Sequence, residues 1–263
     1  MPHKISYREK GQGPLTILLH GYGGSVLHWD QVVDRLENRF RLVVPNLSHL
    51  YMSSTKLEFK EQVDKFCQFI ELKYPNEKMN IVGISYGAAI SWAMTLKKPN
   101  LIEKLVMINP LMPYPVEHFK TTELKYFFNL PMNPTSLFMI LSTPIGKSFL
   151  RRTAEVFRDA RLEGATNVEH LSGRKLQFVA QVISHFSWIL KNEDWSVWAA
   201  QLSQLNHEKL VIYDREDQLF DLDSYRAFVH QLANAYAVET TGAGHLAIKT
   251  RPESIAHHLL EFL

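Results

Sequence analysis

Apolar and polar positions alternate along the chain in two rhythms that take turns. Ile5 to Glu9 and Leu15 to His20 read as strands joined by a turn at Gly11-Gln-Gly-Pro14, and Trp29 to Arg39 then follows the 3.6-residue spacing of an amphipathic helix. Arg41 to Val44 is the next strand, Leu57 to Tyr74 a helix, and the apolar run from Lys78 to Ile84 another strand. A helix follows and closes at Lys97-Lys-Pro99, because proline cannot continue it, and Lys104 to Ile108 is again a strand. Strands separated by helices predict an α/β fold with a mainly parallel, twisted sheet flanked by helices.

After Asn109-Pro110 this rhythm stops. Residues 111–196 are rich in Phe, Met and Leu but carry no strand pattern, and helices are expected at Val116–Leu130, Thr135–Leu141, Gly146–Arg161 and about Val168–Lys191. Pro131, Pro134 and Pro144 mark breaks between them. The segment is expected to be a helical cap inserted into a core made of residues 1–110 and 197–263. Lys209–Tyr213 and Ala235–Glu239 resume the strands, with helices at Ser224–Leu232 and Pro252–Leu263.

Composition narrows the function. In 263 residues, 29 Lys and Arg balance 27 Asp and Glu for a net charge of +2, so nothing points to nucleic acid, and neutral or modestly charged small molecules are the expected partners. No stretch has the uninterrupted apolar length of a membrane span and the N-terminus has no signal-peptide core, so a cytoplasmic protein without integral membrane association is expected. The single cysteine, Cys67, lies on a helical pattern and reads as a buried structural thiol.

The chemistry is concentrated where strands end. Gly83-Ile-Ser85-Tyr-Gly87 joins a strand to a helix, and a turn that sharp leaves no room for side chains two residues either side of the serine. Ser85 would stand at a helix N-terminus, where free N–H groups favour developing negative charge. A serine hydroxyl needs a base, and the base needs an acid to orient it. His245, in Gly242-Ala-Gly-His245 after the last strand, is the expected base, and Asp217, after the strand before it, the expected acid, with Asp214 and Asp221 close enough to substitute. His49, His118, His185, His257 and His258 read as surface or hydrogen-bonded residues. The turn His20-Gly21-Tyr22-Gly23-Gly24-Ser25 could aim an N–H at an anionic oxygen, so the Tyr22 and Tyr86 amides are the expected oxyanion hole. No His, Cys or carboxylate spacing suggests a metal site, and no cofactor is expected.

These motifs, in the order Ser85, Asp217, His245, resemble the α/β-hydrolase superfamily over nearly the whole chain. The likeness is greater to its capped carboxylesterase branch, which includes the pimeloyl-ester esterases of biotin synthesis and the carbon-carbon-bond hydrolases. The resemblance implies that Ser85 is the nucleophile, Asp217 the acid, His245 the base, and the Tyr22 and Tyr86 amides the oxyanion donors. Many members carry Asp-x-x-Gly-x-Gly-x-Ser after the third strand, where this chain has Asn46-Leu-Ser-His-Leu-Tyr-Met-Ser53-Ser54, a bulkier loop. Hydrolysis of small or medium acyl esters through an acyl-enzyme is the expected activity, with carbon-carbon-bond cleavage, acyl transfer or a non-catalytic receptor on the same fold as alternatives. Phe127, Phe128, Met132, Phe138, Met139 and Phe149 would pack the cap, and some of them would line an acyl pocket.

Overall fold

The computed structural model describes residues 5–51, 56–130, 133–153 and 173–263. Seven strands form one sheet: β1 (Tyr7–Lys10), β2 (Leu15–Leu19), β3 (Arg41–Pro45), β4 (Met79–Ile84), β5 (Ile102–Ile108), β6 (Lys209–Asp214) and β7 (Ala235–Thr240). Their order is β1-β3-β2-β4-β5-β6-β7, and every pairing is parallel except that of β1 with β3. Strands β2, β4 and β6 are buried along their whole length, which explains their unbroken apolar runs, because helices cover both faces of the sheet.

Alternation along the strands divides the core in two. Ile17, Leu19, Ile81, Leu105, Met107 and Val211 face one way, against α3 (Phe59–Lys73) and α4 (Tyr86–Lys97). Leu18, Val82, Ile84, Val106, Ile108 and Ile212 face the other, against α1 (Asp30–Leu36) and α13 (Pro252–Phe262). Between them come α2 (Ser48–Tyr51), the inserted helices, α11 (Leu222–His230) and α12 (Ala247–Thr250). Helix α4 is apolar on all sides, as its burial between sheet and helices requires. Cys67 is buried on α3, and burial pushes its thiol up to about 12.

Between β5 and β6 stand α5 (Pro115–His118), α6 (Thr122–Asn129), α7 (Pro134–Ser142), α8 (Pro144–Thr153), α9 (Gly173–Asn192) and α10 (Trp195–Leu202). The single helix expected over 116–130 is two, because Phe119 pairs with Phe220 in an antiparallel bridge and Thr121 then caps α6 by accepting from Leu124 N. Helix α10 was not expected; Asp194 caps it, and its Trp198 packs on Phe59 and Trp92. The parts of the expected 146–161 and 168–191 helices beyond Thr153 and before Gly173 fall outside the described residues, as do Met132 and the Phe149 side chain. Met139 does not join the packing: Leu137 and Leu141 form the buried stripe of α7, which leaves Met139 59% exposed on the opposite face.

The chain leaves β2 toward β3 on one side and returns to β4 on the other. That reversal opens a crevice at the C-terminal ends of β2 and β4, where ligands of open α/β sheets bind. Among the described residues, no helix is long and apolar enough to cross a membrane, and no group of three or more His, Cys, Asp or Glu could hold a metal ion.

Candidate active site

Ser85 caps the N-terminus of α4 with φ 55° and ψ −119°, a strained conformation for a residue with a side chain. Neighbours hold it there. Its N–H donates to Ile108 O at 2.9 Å, and its carbonyl accepts from Leu111 N at 3.1 Å and Ala89 N at 3.2 Å. The glycines around it are dictated by space: a Cβ on Gly83 would lie 2.3 Å from Gly87 O, and one on Gly87 would lie 2.3 Å from Leu19 O. Across the crevice, a Cβ on Gly21 would stand 3.8 Å from Ser85 Oγ, so the loop after β2 passes directly over the serine.

That loop is a tight turn closed by Gly24 N donating to Gly21 O at 3.0 Å, with Gly23 at φ +73°. His20 is buried beneath it; Nε2 accepts from Leu47 N at 3.0 Å, which leaves the Nδ1 proton for Gly21 O at 2.8 Å. Gly23 N donates to Tyr51 Oη at 3.0 Å. The unusual loop after β3 therefore fastens the glycine turn at both ends, a function for Leu47 and Tyr51 that the sequence did not reveal. Tyr22, whose amide would face an oxyanion, stacks on Tyr51 with ring centroids 4.1 Å apart and lies 4.6 Å from Phe186 of α9. Tyr86 meets Tyr22 edge-on at 5.1 Å and donates its hydroxyl to Gln62 Oε1 at 2.9 Å. Helix α9 thus covers the turn, and Val182 Cγ1 would lie 3.5 Å from a Cβ on Gly23.

The structure brings Asp217 and His245 into direct contact, with Nδ1 2.8 Å from Oδ2 and both side chains buried. The remaining capacity of Asp217 is occupied: Oδ1 accepts from Leu219 N at 2.6 Å and Phe220 N at 3.1 Å, and Oδ2 accepts from Tyr225 Oη at 2.7 Å. Burial, reinforced by the Asp217 charge, holds the Tyr225 phenol well above its usual range, so it stays a donor. With its Nδ1 proton directed at a carboxylate, the imidazole has Nε2 left to accept a proton.

The two other candidate acids are engaged elsewhere. Asp214 ends β6 and turns beneath the histidine loop, where its carboxylate accepts from Thr240 Oγ1 at 2.7 Å, Glu216 N at 2.9 Å, and Ala243 N and Gly244 N at 3.0 Å. Burial opposes its charge, but these four donors outweigh it and hold the carboxyl below its ordinary range. Asp221 caps α11 through Ser224 N. The chain between α5 and α6 is also attached here: Lys120 N donates to Leu219 O at 2.7 Å, Lys120 Nζ donates to Asp217 O at 2.8 Å, and Phe119 stacks on Phe220, whose ring lies 5.8 Å from that of His245.

The other histidines divide. His49 accepts from Ser6 N, His118 contacts Ser224 Oγ and His257 contacts Glu261. His185 takes the hydrogen-bonded side of that expectation, with backbone groups of Tyr51 and Leu57 beside its ring. It is buried on α9, 6.4 Å ring to ring from Tyr22, and burial lowers its pKa. Its Nε2 and Tyr22 Oη have no protein partner among the described residues and are polar points in an otherwise aromatic wall.

The chain is similar to known proteins along most of its length. The pimeloyl-[acyl-carrier protein] methyl ester esterase of Vibrio vulnificus is 24% identical over 280 residues, covering 100% of this chain and 99% of the relative. Among solved structures, a haloalkane dehalogenase from Bradyrhizobium elkani superposes with a TM-score of 0.73 at 16% identity, covering 98% of this chain and 92% of the other. A thermophilic esterase from Thermogutta terrifontis superposes at 0.68, also at 16% identity, with the same two coverages. The family model described as the alpha/beta hydrolase fold matches residues 14–252. This chain belongs to the alpha/beta hydrolase fold family.

Proposed function

We infer that the protein is a serine carboxylesterase acting on esters of small or medium acyl groups. The observation that carries this reading is the 2.8 Å contact between His245 Nδ1 and Asp217 Oδ2, on the same sheet edge as a strained Ser85 that lies under a glycine turn. In this mechanism Ser85 Oγ attacks the ester carbonyl while His245 Nε2 takes its proton. Asp217 stabilises the imidazolium that forms. The Tyr22 and Tyr86 amides face the resulting oxyanion, with the N-terminus of α4 adding favourable potential. His245 then returns the proton to the departing alcohol, a covalent acyl-enzyme remains, and water activated by the same imidazole releases the acid.

Residues 111–196 serve as the cap in this reading, with α9 and its Phe186 forming the roof beside Tyr22. The relative from Vibrio vulnificus is named for a methyl ester, and full-length similarity to it favours an ester over other bonds. The near-neutral charge suits a small-molecule substrate and gives no reason to expect a nucleic-acid partner. Serial p-nitrophenyl esters of increasing acyl length test the proposal. Hydrolysis that exceeds a Ser85→Ala control, with Ser85 labelled by a fluorophosphonate, supports it; no turnover above that control and no labelling rejects it.

A further inference from the structure

The histidine loop has little conformational restraint of its own. Gly242 and Gly244 both adopt left-handed backbone, at φ +76° and +65°, and in that sequence a residue placed at 245 would wander without outside partners. Gln218 Oε1 accepts from His245 N at 2.9 Å, and two buried side chains at the ends of neighbouring strands supply the rest. Asp214 takes the loop's amides, Ala243 N and Gly244 N. Asn109 takes its carbonyls: Nδ2 donates to Gly244 O and to His245 O, each at 2.9 Å, while Oδ1 accepts from Asp214 N at 2.9 Å.

Asn109 is placed for this by its own strain. It is fully buried, its N–H continues the sheet ladder by donating to Ile212 O at 2.8 Å, and its backbone turns left-handed at φ 40°, a conformation asparagine tolerates better than most residues. The turn matters because the residues on either side hold the serine. Ile108 O receives Ser85 N, and Leu111 N donates to Ser85 O. Four consecutive residues, 108–111, therefore grip the backbone of Ser85 at two atoms and the backbone of His245 at a third.

We propose that Asn109 is a positioning residue that sets where the His245 imidazole stands relative to Ser85, joining nucleophile and base to one short segment after β5. This rests on the triad reading above. The carboxamide touches no reacting atom and acts only through the loop it holds. A misplacement on the order of 1 Å in such a pair lowers turnover on the order of 10²-fold, so the effect belongs to kcat, with KM little changed.

The test uses Asn109→Gly, which accepts the left-handed backbone freely and removes only the carboxamide, and the isosteric Asn109→Asp, which keeps an oxygen for Asp214 N but replaces the paired donors. Both are assayed on a p-nitrophenyl ester well below their melting temperatures, alone and in a His245→Ala background. The expected result is a kcat lowered about 10- to 100-fold with His245 present, and no further loss once His245 is absent, because there is then no imidazole to misplace. Equal loss in both backgrounds, an unchanged kcat with only a lower melting temperature, or failure of both variants to fold would each overturn the positioning role. Wild-type protein lacking Ser85-dependent turnover would instead overturn the esterase reading, and this role with it.

Discussion

Tyr225 donates its hydroxyl, at 2.7 Å, to the same Asp217 oxygen that lies 2.8 Å from His245 Nδ1. A phenol on α11 and an imidazole on the loop after β7 therefore share one acceptor, and the carboxylate cannot rotate toward either without losing the other. Tyr225→Phe keeps the ring and its stacking on Tyr213 but leaves that oxygen short of a donor. Stability is expected to fall by about 1–3 kcal/mol in urea denaturation, the usual penalty for an unmet buried partner, with a parallel drop in ester turnover. Wild-type values for both would show that the shared oxygen does not matter.

Tyr51→Phe removes the acceptor of Gly23 N and retains the stack on Tyr22. A single neutral hydrogen bond is worth about 0.5–1.5 kcal/mol, so kcat/KM should fall by up to about tenfold on every ester, independent of acyl length. A loss confined to long acyl groups would assign Tyr51 to the pocket wall, not to the turn.

Gly87→Ala places a methyl 2.3 Å from Leu19 O, which is backbone in the middle of the sheet and cannot yield. The substitution is expected to destabilise by more than about 3 kcal/mol, among the larger effects of single changes, and to yield little folded protein by circular dichroism. Gly173→Ala, where a Cβ meets nothing within 4 Å and only the left-handed backbone at φ +53° resists it, serves as the contrast: it should cost about 1–2 kcal/mol and still fold.

Cys67 should resist iodoacetamide in the native protein at pH 8 and react fully in 6 M guanidinium, because burial holds its thiol up to about 12 and only thiolate reacts. The same shift has a sign for stability. The unfolded chain releases the thiol proton near pH 9 while the folded chain keeps it until about 12, so the stabilisation from this group is complete below pH 9 and is lost as pH rises from there. Cys67→Ser should flatten that decline in denaturation curves taken across pH 9 to 11.

Much of the core was readable because it obeys local rules. The buried strands β2, β4 and β6 appear as apolar runs, and Gly83 and Gly87 announce a turn whose crowding the structure then measures in ångströms. Where local rules compete with distant partners, the local pattern does not determine the outcome. Phe119 ends α5 because of a bridge to Phe220, 101 residues on, and nothing in its neighbourhood signals that. Asp214 and Asp217 look alike in sequence; only the fold turns one beneath the loop and the other to the imidazole. Asn109 and Tyr225 carry no local mark of their distant contacts either, although Asn before Pro at a strand end does signal a turn.

The bond pair from Lys120 to the Asp217 loop has a practical consequence for engineering. Chimeras that exchange residues 111–196 for a relative's, to borrow its selectivity, would cut this stitch and shift Asp217 along with α9. Splice points placed after Lys120 would preserve it, so that any altered selectivity could be credited to the transplanted helices alone.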